Sequence, residues 1–307
     1  MLGNILASSR LKILGHAKKC LSAGFRLLKV VEGCDEHDRS RHRNGGTMKY
    51  LFPTLFLLAL ATNARAAVRT ETVEYKQDGA VLEGYLAYDD AVRGTRPGVL
   101  IVHEWWGIND FIKKRTEQIA HLGYIAFAAD IYGKGNRAKT PEEAKALAGR
   151  FRVGSDRTLL RARAQAGLDV LKKNPMTDPK RVVAIGYCFG GTMVLELARS
   201  GADVAGVASF HGGLDAPNPA DAKNIKGKVL VLTGADDPHV RPEQVLAFED
   251  EMRMAGVDWY LVVYGNAVHS FTNPASGTDN SKGAAYNEKA DNRSWQAMID
   301  FFSEVFK

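Results

Sequence analysis

One cysteine, Cys188, has the sequence context of an enzymatic nucleophile. Segment 186–191 reads Gly-Tyr-Cys-Phe-Gly-Gly, directly after an apolar run typical of a buried strand and directly before a helical pattern. Such a sharp turn holds its central residue in a strained conformation, and the flanking glycines avoid collision with neighbouring backbone. The sulfur would lie at a helix N-terminus, which favours a thiolate. The segment predicts a nucleophile elbow; the alternative is that Cys188 is a small buried hydrophobic residue.

A general base and an orienting acid follow where such a nucleophile requires them. Asp237 follows one predicted strand and His269 follows the next. Nucleophile, acid and histidine come in this chain order when they act on a doubly wound sheet. Of two adjacent acids we favour Asp237, because it precedes Pro238 in the loop, and we expect Asp236 to face solvent or cap the turn. The sequence therefore predicts a catalytic triad of Cys188, Asp237 and His269.

A third segment, His-Glu-Trp-Trp-Gly at 103–107, also follows a predicted buried strand. An oxyanion requires two backbone amides; the residue after the nucleophile, Phe189, supplies one, and this loop supplies the other, for which we favour Trp105. Glu104 would lie near the sulfur, where it could hold the resting thiol or accept its proton. The alternative is a solvated loop carboxylate. We expect His103 to be structural.

Aromatic residues beside these segments are candidates for substrate binding. Trp105, Trp106 and Phe189 could line an apolar pocket, although aromatic side chains next to buried strands are equally typical of a core. No histidine pair at helical spacing and no glycine-rich lysine loop is present in the sequence, so we expect neither a metal nor another cofactor. The chemistry indicated is acyl transfer from an ester through an acyl-enzyme, which requires none.

The elements that would position these residues alternate along the chain. Short apolar runs predict strands and longer amphipathic runs predict helices. The predicted strands are 72–76, 82–88, 99–103, 124–129, 182–186, 204–210, 228–233 and 259–264, and the predicted helices are 109–122, one that opens at 140–143, 157–173, 190–199, 242–255 and 293–306. Prolines predict a loop at 174–179. The alternation is typical of an α/β fold with a doubly wound, mostly parallel sheet flanked by helices, whose sites lie at the carboxyl ends of strands.

The beginning of the chain differs in composition from the rest. Met48, the apolar run 51–60 and Ala-Arg-Ala at 64–66 follow the order of a secretory signal peptide with its cleavage site, which predicts a new N-terminus at Ala67. The run is roughly half as long as a membrane-spanning helix, so we expect no stable membrane anchor. We expect a periplasmic or secreted protein. Residues 1–47 are interpreted as an artefact of the assigned start or, alternatively, as a basic targeting leader.

The formal net charge of +6 does not belong to the predicted mature domain. Residues 67–307 contain thirty Lys or Arg and thirty-one Asp or Glu. This balance gives no support for nucleic acid or an anionic membrane as a partner. Cys188 is the only cysteine after residue 66, so the domain can form no internal disulfide. An unpaired thiol in an oxidising compartment indicates that it is buried or used.

These segments together resemble those of the dienelactone hydrolases, also called carboxymethylenebutenolidases, in the α/β-hydrolase superfamily. The resemblance covers nearly all of residues 67–307, and its motifs are Gly-Tyr-Cys-x-Gly-Gly at 186–191, His-Glu at 103–104, Gly-x-x-Asp at 234–237 and His-Ser-Phe at 269–271. A cysteine at this elbow is uncommon, since serine is usual. The resemblance implies a single α/β-hydrolase domain that hydrolyses carboxylic esters or lactones.

The resemblance also implies residue roles. It assigns the nucleophile, acid and base to Cys188, Asp237 and His269, the thiol-contacting glutamate to Glu104, and the oxyanion amides to Trp105 and Phe189. In the family this glutamate keeps the cysteine protonated until substrate binds, which would protect an exported thiol from oxidation.

One position departs from the family pattern. Members specific for dienelactone have an arginine four residues after the catalytic histidine, and this chain has Asn273 there. Loss of a charge-assisted contact costs roughly 1.5–3 kcal/mol, which disfavours an anionic lactone as substrate. We place Trp106, Phe271 and Asn273 among the candidate substrate-binding residues. The expected partner is a small-molecule ester or lactone, and we expect a monomer.

Two alternatives to hydrolysis stay open from the sequence. The first is a non-catalytic protein of the same fold that binds a ligand or senses oxidation through its thiol. The second is acyl transfer to an acceptor other than water, which shares the acyl-enzyme.

Overall fold

Eight strands form one sheet in the computed structural model, which describes residues 67–151 and 156–307. The strands are β1 (Val68–Gln77), β2 (Ala80–Asp89), β3 (Arg96–Val102), β4 (Ile125–Ala129), β5 (Thr177–Tyr187), β6 (Gly206–Phe210), β7 (Lys228–Gly234) and β8 (Trp259–Tyr264). Their order in the sheet is β1-β2-β4-β3-β5-β6-β7-β8. β2 pairs antiparallel with β1 and β4, and the other pairs are parallel. The predicted fold class is confirmed.

Helices cover both faces of the sheet. They are α1 (Asp110–His121), α2 (Pro141–Gly149), α3 (Thr158–Lys173), α4 (Phe189–Arg199), α5 (Pro242–Ala255) and α6 (Glu288–Val305). Because β3 is buried on both sides, consecutive residues face opposite cores: Leu100 belongs to the core that includes residues of α3, α4 and α5, and Ile101 belongs to the core that includes residues of α1 and α6. The described residues form one domain.

Local sequence signals set where the helices begin. The Asn109 side chain accepts a hydrogen bond from an amide in the first turn of α1, and Thr140 does the same for α2, in which Pro141 is the first residue. α6 begins at Glu288, more than a turn before the predicted start, because Asn287 caps it. That cap precedes the apolar periodicity from which the start was predicted.

The second half of one predicted loop belongs to a strand. β5 begins at Thr177, so Asp178 and Pro179 lie inside it, whereas the sequence predicted a loop at 174–179. In this part β5 pairs only with β3, and the register shifts between Pro97 and Gly98. A proline is tolerated at such an irregularity because no regular ladder hydrogen bond is lost there.

A buried ion network holds α4, the helix that follows the predicted elbow. Arg199, which is 1% exposed, binds Glu251 of α5 through Nε and Nη2, and binds Glu196 of its own helix through Nη1. Arg161 of α3 also binds Glu196, at 2.8 Å. The network ties α4 to both neighbouring helices.

The predicted signal peptide at 48–66 and the extension 1–47 lie outside the described residues. Within residues 67–151 and 156–307, every helix is too short or too polar to cross a bilayer.

Candidate active site

Cys188 lies between β5 and α4 with a strained backbone. Its φ is 54° and its ψ is −115°, a conformation that residues with side chains rarely adopt. The flanking glycines are required by contact: a Cβ at Gly186 would lie 2.0 Å from the Gly190 carbonyl oxygen, and one at Gly190 would lie 2.2 Å from the carbonyl oxygen of Val102. The backbone therefore has the predicted elbow.

Cys188, His269 and Asp237 form one line of hydrogen bonds. His269 Nε2 lies 3.0 Å from the Cys188 sulfur, and His269 Nδ1 lies 2.8 Å from Asp237 Oδ2. The Asp237 side chain is fully buried, and its Oδ1 accepts the amide hydrogen of His239. Asp236 is exposed, so the structure selects Asp237 as the partner of His269.

The surroundings of the His269 ring favour its protonated form. Burial alone would lower the pKa of His269, but the Cys188 sulfur and the Asp237 carboxylate outweigh it and raise that pKa to about 10. The rings of His211 and His239 lie 5.2 and 4.9 Å from the His269 ring. Burial lowers the pKa of His211 and of His239, and the charge of His269 lowers both further by a smaller amount. The charged form of His269 is therefore favoured, whereas the charged forms of His211 and His239 are disfavoured.

Glu104 has other partners than the sulfur. The residue is 1% exposed; its Oε1 accepts a hydrogen bond from the Ser270 hydroxyl at 2.8 Å, and its Oε2 accepts one from Asn273 Nδ2 at 2.7 Å. Burial raises the pKa of Glu104, and these two hydrogen bonds oppose the shift. The Cys188 sulfur contacts His269, and among the described residues it makes no hydrogen bond to Glu104, so the expected contact between Glu104 and the resting thiol stays a prediction.

A cavity of about 760 Å³ opens beside Cys188 and His269. Trp105 and Trp106 line it, with their rings 5.1 Å apart in an edge-to-face arrangement, and Trp105 also packs against the core. His239 also lines the cavity and was not predicted from the sequence. The volume is in the range of drug-sized ligand sites, so the cavity can hold more than a small lactone.

Comparison with known proteins places this fold and site in a family. The sequence model of the dienelactone hydrolase family matches residues 82–306. The chain belongs to the dienelactone hydrolase family. Family membership and the sheet topology together make the protein an α/β-hydrolase that acts on ester or lactone bonds.

Several relatives of this dienelactone hydrolase family member illustrate the match. A solved dienelactone hydrolase-like promiscuous phosphotriesterase from metagenomic libraries is 41% identical, with a TM-score of 0.75, over 78% of this chain and all of that one. Protein usf of Aquifex pyrophilus is 29% identical over 76% of this chain and 98% of its own length. A dienelactone hydrolase from Anabaena variabilis, 20% identical with a TM-score of 0.58 over 78% of this chain and 99% of that one, shares the fold.

Two predicted substrate-binding residues of this family member have different environments. Phe271 is fully buried and packs against His211 and Tyr264, at 5.1 and 5.5 Å between ring centres. The prediction of a substrate contact is therefore corrected for Phe271. Asn273 does line the cavity, but its Nδ2 binds Glu104 and its Oδ1 accepts the Ala275 amide, so both polar ends are engaged within the protein.

The candidate oxyanion donors lie on the two sides of the elbow. Phe189 is the first residue of α4, where helical amides have no acceptor within the helix itself, and Trp105 is in the loop after β3. Both residues line the cavity together with Cys188. The arrangement suits stabilisation of negative charge on a bound carbonyl oxygen.

His211 is a site residue that the sequence reasoning missed. The Cys188 amide donates to the Phe210 carbonyl oxygen at 2.9 Å and also to His211 Nδ1 at 3.1 Å, and His211 Nε2 lies 2.8 Å from Thr272 Oγ1. Because an amide can only donate, Nε2 must carry the proton. The residue follows β6 with a φ of 41°. The available signal was a histidine directly after a predicted buried strand, before two glycines.

Proposed function

We propose that this protein hydrolyses carboxylic esters or lactones through an acyl-enzyme on Cys188, with His269 as general acid and base and Asp237 as its orienting group. The proposal is supported by the 3.0 Å contact between Cys188 Sγ and His269 Nε2, continued at 2.8 Å to Asp237 Oδ2. The three side chains come from three separate segments of the chain, and Cys188 and His269 line the cavity.

The reaction begins with attack of the thiolate on the substrate carbonyl carbon. A sulfur–carbon bond forms, and the carbonyl electrons move to the oxygen, which the amides of Trp105 and Phe189 stabilise. Collapse of this intermediate expels the alkoxide, which takes the proton of the His269 imidazolium, and leaves a thioester. The neutral His269 then removes a proton from water, and the hydroxide adds to the thioester carbon. The carbon–sulfur bond breaks, the carboxylic acid leaves, and the Cys188 thiolate and the His269 imidazolium are restored.

The environment of Asn273 favours uncharged esters over an anionic lactone. Its side chain contacts Glu104 instead of offering a cation to a substrate carboxylate. We expect a larger kcat/KM for p-nitrophenyl acetate than for dienelactone. Product analysis distinguishes hydrolysis, which releases acetate, from transfer of the acetyl group to an added alcohol or amine.

The test compares the full chain with its Cys188→Ala variant on both substrates, with folding checked by circular dichroism. Loss of turnover in the variant, together with an acetyl group on the Cys188 peptide in mass spectrometry of quenched wild type, supports the proposal. Unchanged turnover in Cys188→Ala would exclude the sulfur as nucleophile. Absence of turnover with every ester would favour the alternative of a ligand-binding or redox-sensing protein.

A phosphotriester is a second substrate class to include. The support is the relative described as a promiscuous phosphotriesterase, which is 41% identical and which this chain covers completely. The same thiolate would attack phosphorus instead of carbon and expel an aryl oxide. Paraoxon turnover that disappears in Cys188→Ala would assign this activity to the same site, and no turnover in wild type would limit the protein to acyl substrates.

We also propose that residues 48–66 are removed on export and that the domain acts in the periplasm or outside the cell. The support is the sequence order of basic residue, apolar run and small residues. N-terminal sequencing of protein secreted by an expression host should give Ala67 as the first residue, and any distant start contradicts the cleavage site.

A further inference from the structure

His103 is a fully buried side chain that makes hydrogen bonds only to backbone. Its Nε2 lies 3.3 Å from the Ile131 amide nitrogen, and its Nδ1 lies 2.6 Å from the Glu104 carbonyl oxygen. The amide of Ile131 can only donate, so Nε2 accepts and the proton must lie on Nδ1, which donates to Glu104. Burial lowers the pKa of His103, so the ring is neutral at physiological pH.

This hydrogen bond determines the direction of a peptide group in the candidate oxyanion site. The Glu104 carbonyl also accepts the Gly107 amide hydrogen at 3.2 Å, so it is held from two sides. The peptide is trans, and the N–H of Trp105 therefore points away from that carbonyl. The following carbonyl, of Trp105 itself, accepts the Tyr132 hydroxyl at 3.0 Å. Both peptide groups that flank the Trp105 α-carbon are thus fixed by ring side chains.

The segment that contains His103 lies directly against the elbow. A Cβ added at Gly190 would come within 2.7 Å of the His103 carbonyl oxygen, and the His103 and Phe189 rings stack at 6.4 Å. Trp105 and Cys188 line the same cavity. We infer that His103 is a positioning residue that holds the Trp105 amide in the direction needed to stabilise the oxyanion formed at Cys188. The inference rests on the proposed ester hydrolysis.

Two reactions of Cys188 separate this role from a merely structural one. Ester turnover places negative charge on a carbonyl oxygen. Alkylation by iodoacetamide instead forms a carbon–sulfur bond while iodide leaves with the electron pair, so no oxyanion develops. A residue that orients an oxyanion donor affects the first reaction and not the second, whereas damage to the elbow or to the thiolate affects both.

The variants are His103→Leu, which removes the donor, and His103→Asn, whose Nδ2 can donate from nearly the same place as Nδ1. His121→Leu, on the exposed last residue of α1, is the matched control. We expect His103→Leu to lower kcat for p-nitrophenyl acetate by about 10- to 100-fold with little change in KM, and His103→Asn to recover most of the loss. The rate of iodoacetamide labelling, followed on the Cys188 peptide by mass spectrometry, should be unchanged.

The inference is overturned if labelling slows in parallel with kcat, or if kcat does not fall. Should His103→Leu fail to fold, ¹⁵N NMR of wild type decides instead: a neutral ring with the proton on Nδ1 is expected, and a proton on Nε2 would contradict the hydrogen bond on which the inference depends. If wild type turns over no ester at all, the proposed function fails, whatever the tautomer of His103.

Discussion

Glu104 and Asn273 are joined by a 2.7 Å hydrogen bond that links the loop after β3 to the loop after His269. The pair connects the residue expected to contact the thiol with the residue expected to contact substrate. Each side chain is therefore a hydrogen-bond partner of the other, and the roles predicted for them from the sequence stay predictions. Burial disfavours the charged carboxylate of Glu104, and its two donors partly compensate. Removal of either donor would leave a buried carboxylate oxygen without that partner, at a cost of about 1–3 kcal/mol.

The raised pKa of Glu104 predicts a dependence of stability on pH. A carboxyl whose folded pKa is above its unfolded pKa favours the folded state below the unfolded value and loses this contribution as pH rises toward the folded value. The isosteric Glu104→Gln carries no charge, so the variant should match wild type near pH 4 and have a higher Tm at pH 8. Thermal unfolding of both proteins across this range tests the sign; a variant less stable than wild type at pH 8 would contradict it.

The pKa of His269, about 10, depends on the neighbouring sulfur. In Cys188→Ala the pKa of His269 should fall toward or below its usual value, because burial then acts against the charge with only Asp237 to support it. NMR titration of the His269 ring carbons in both proteins measures the shift. An unchanged midpoint would show that Asp237 alone stabilises the imidazolium.

Asp237 and Asp236 are adjacent acids in different environments, one buried against His269 and one exposed. Asp237→Asn should lower kcat by roughly 10²–10⁴-fold, because the imidazole loses its orienting charge. Asp236→Asn should retain wild-type turnover and serves as the matched control. Equal losses in the two variants would argue against the assignment of Asp237.

Gly190 and Gly149 differ in the space around them. A Cβ at Gly190 would overlap the Val102 carbonyl, whereas one at Gly149, the last residue of α2, meets no atom within 4 Å. Gly190→Ala should destabilise the protein by at least about 1–3 kcal/mol, and Gly149→Ala should be neutral or slightly stabilising. Chemical denaturation of both variants provides the measurement, and similar stabilities would contradict the packing described for the elbow.

Arg199 holds α4 through buried carboxylates, and Arg253 lies exposed on α5. Arg199→Met would leave Glu251 without its cation, so we expect a loss of about 3–5 kcal/mol in the free energy of unfolding. Arg253→Ala should change this free energy by less than about 1 kcal/mol. Urea unfolding monitored by fluorescence compares them, and a neutral Arg199→Met would indicate that water solvates the carboxylates.

Sequence patterns predicted the sheet, most helix boundaries and the residues that meet at His269, because each depends on local periodicity, capping or strand order. The orientation of side chains in the loop after β8 could not be predicted in this way. Ser270 has a φ of 59°, so its backbone departs from the extended geometry that would alternate side chains between two faces. As a result Phe271 faces the core, and Ser270 and Asn273 face Glu104. The role of His211 was equally hidden, since its partner is the backbone amide of Cys188, 23 residues earlier in the chain.

Cys188 is attached to segment 269–273 by two routes, from its sulfur to His269 and from its amide through His211 to Thr272. Displacement of that segment to admit a ligand would break both sets of hydrogen bonds at once and would remove the general base, His269, from the sulfur. We therefore expect ligands to enter and leave past other residues that line the cavity, which include Trp105, Trp106 and Gly149 at the end of α2. We expect bulky leaving groups to leave the cavity past the side chains of Trp105 and Trp106. The space beside these two side chains, rather than the reactivity of the sulfur, would then limit the size of the alcohol that the protein can release.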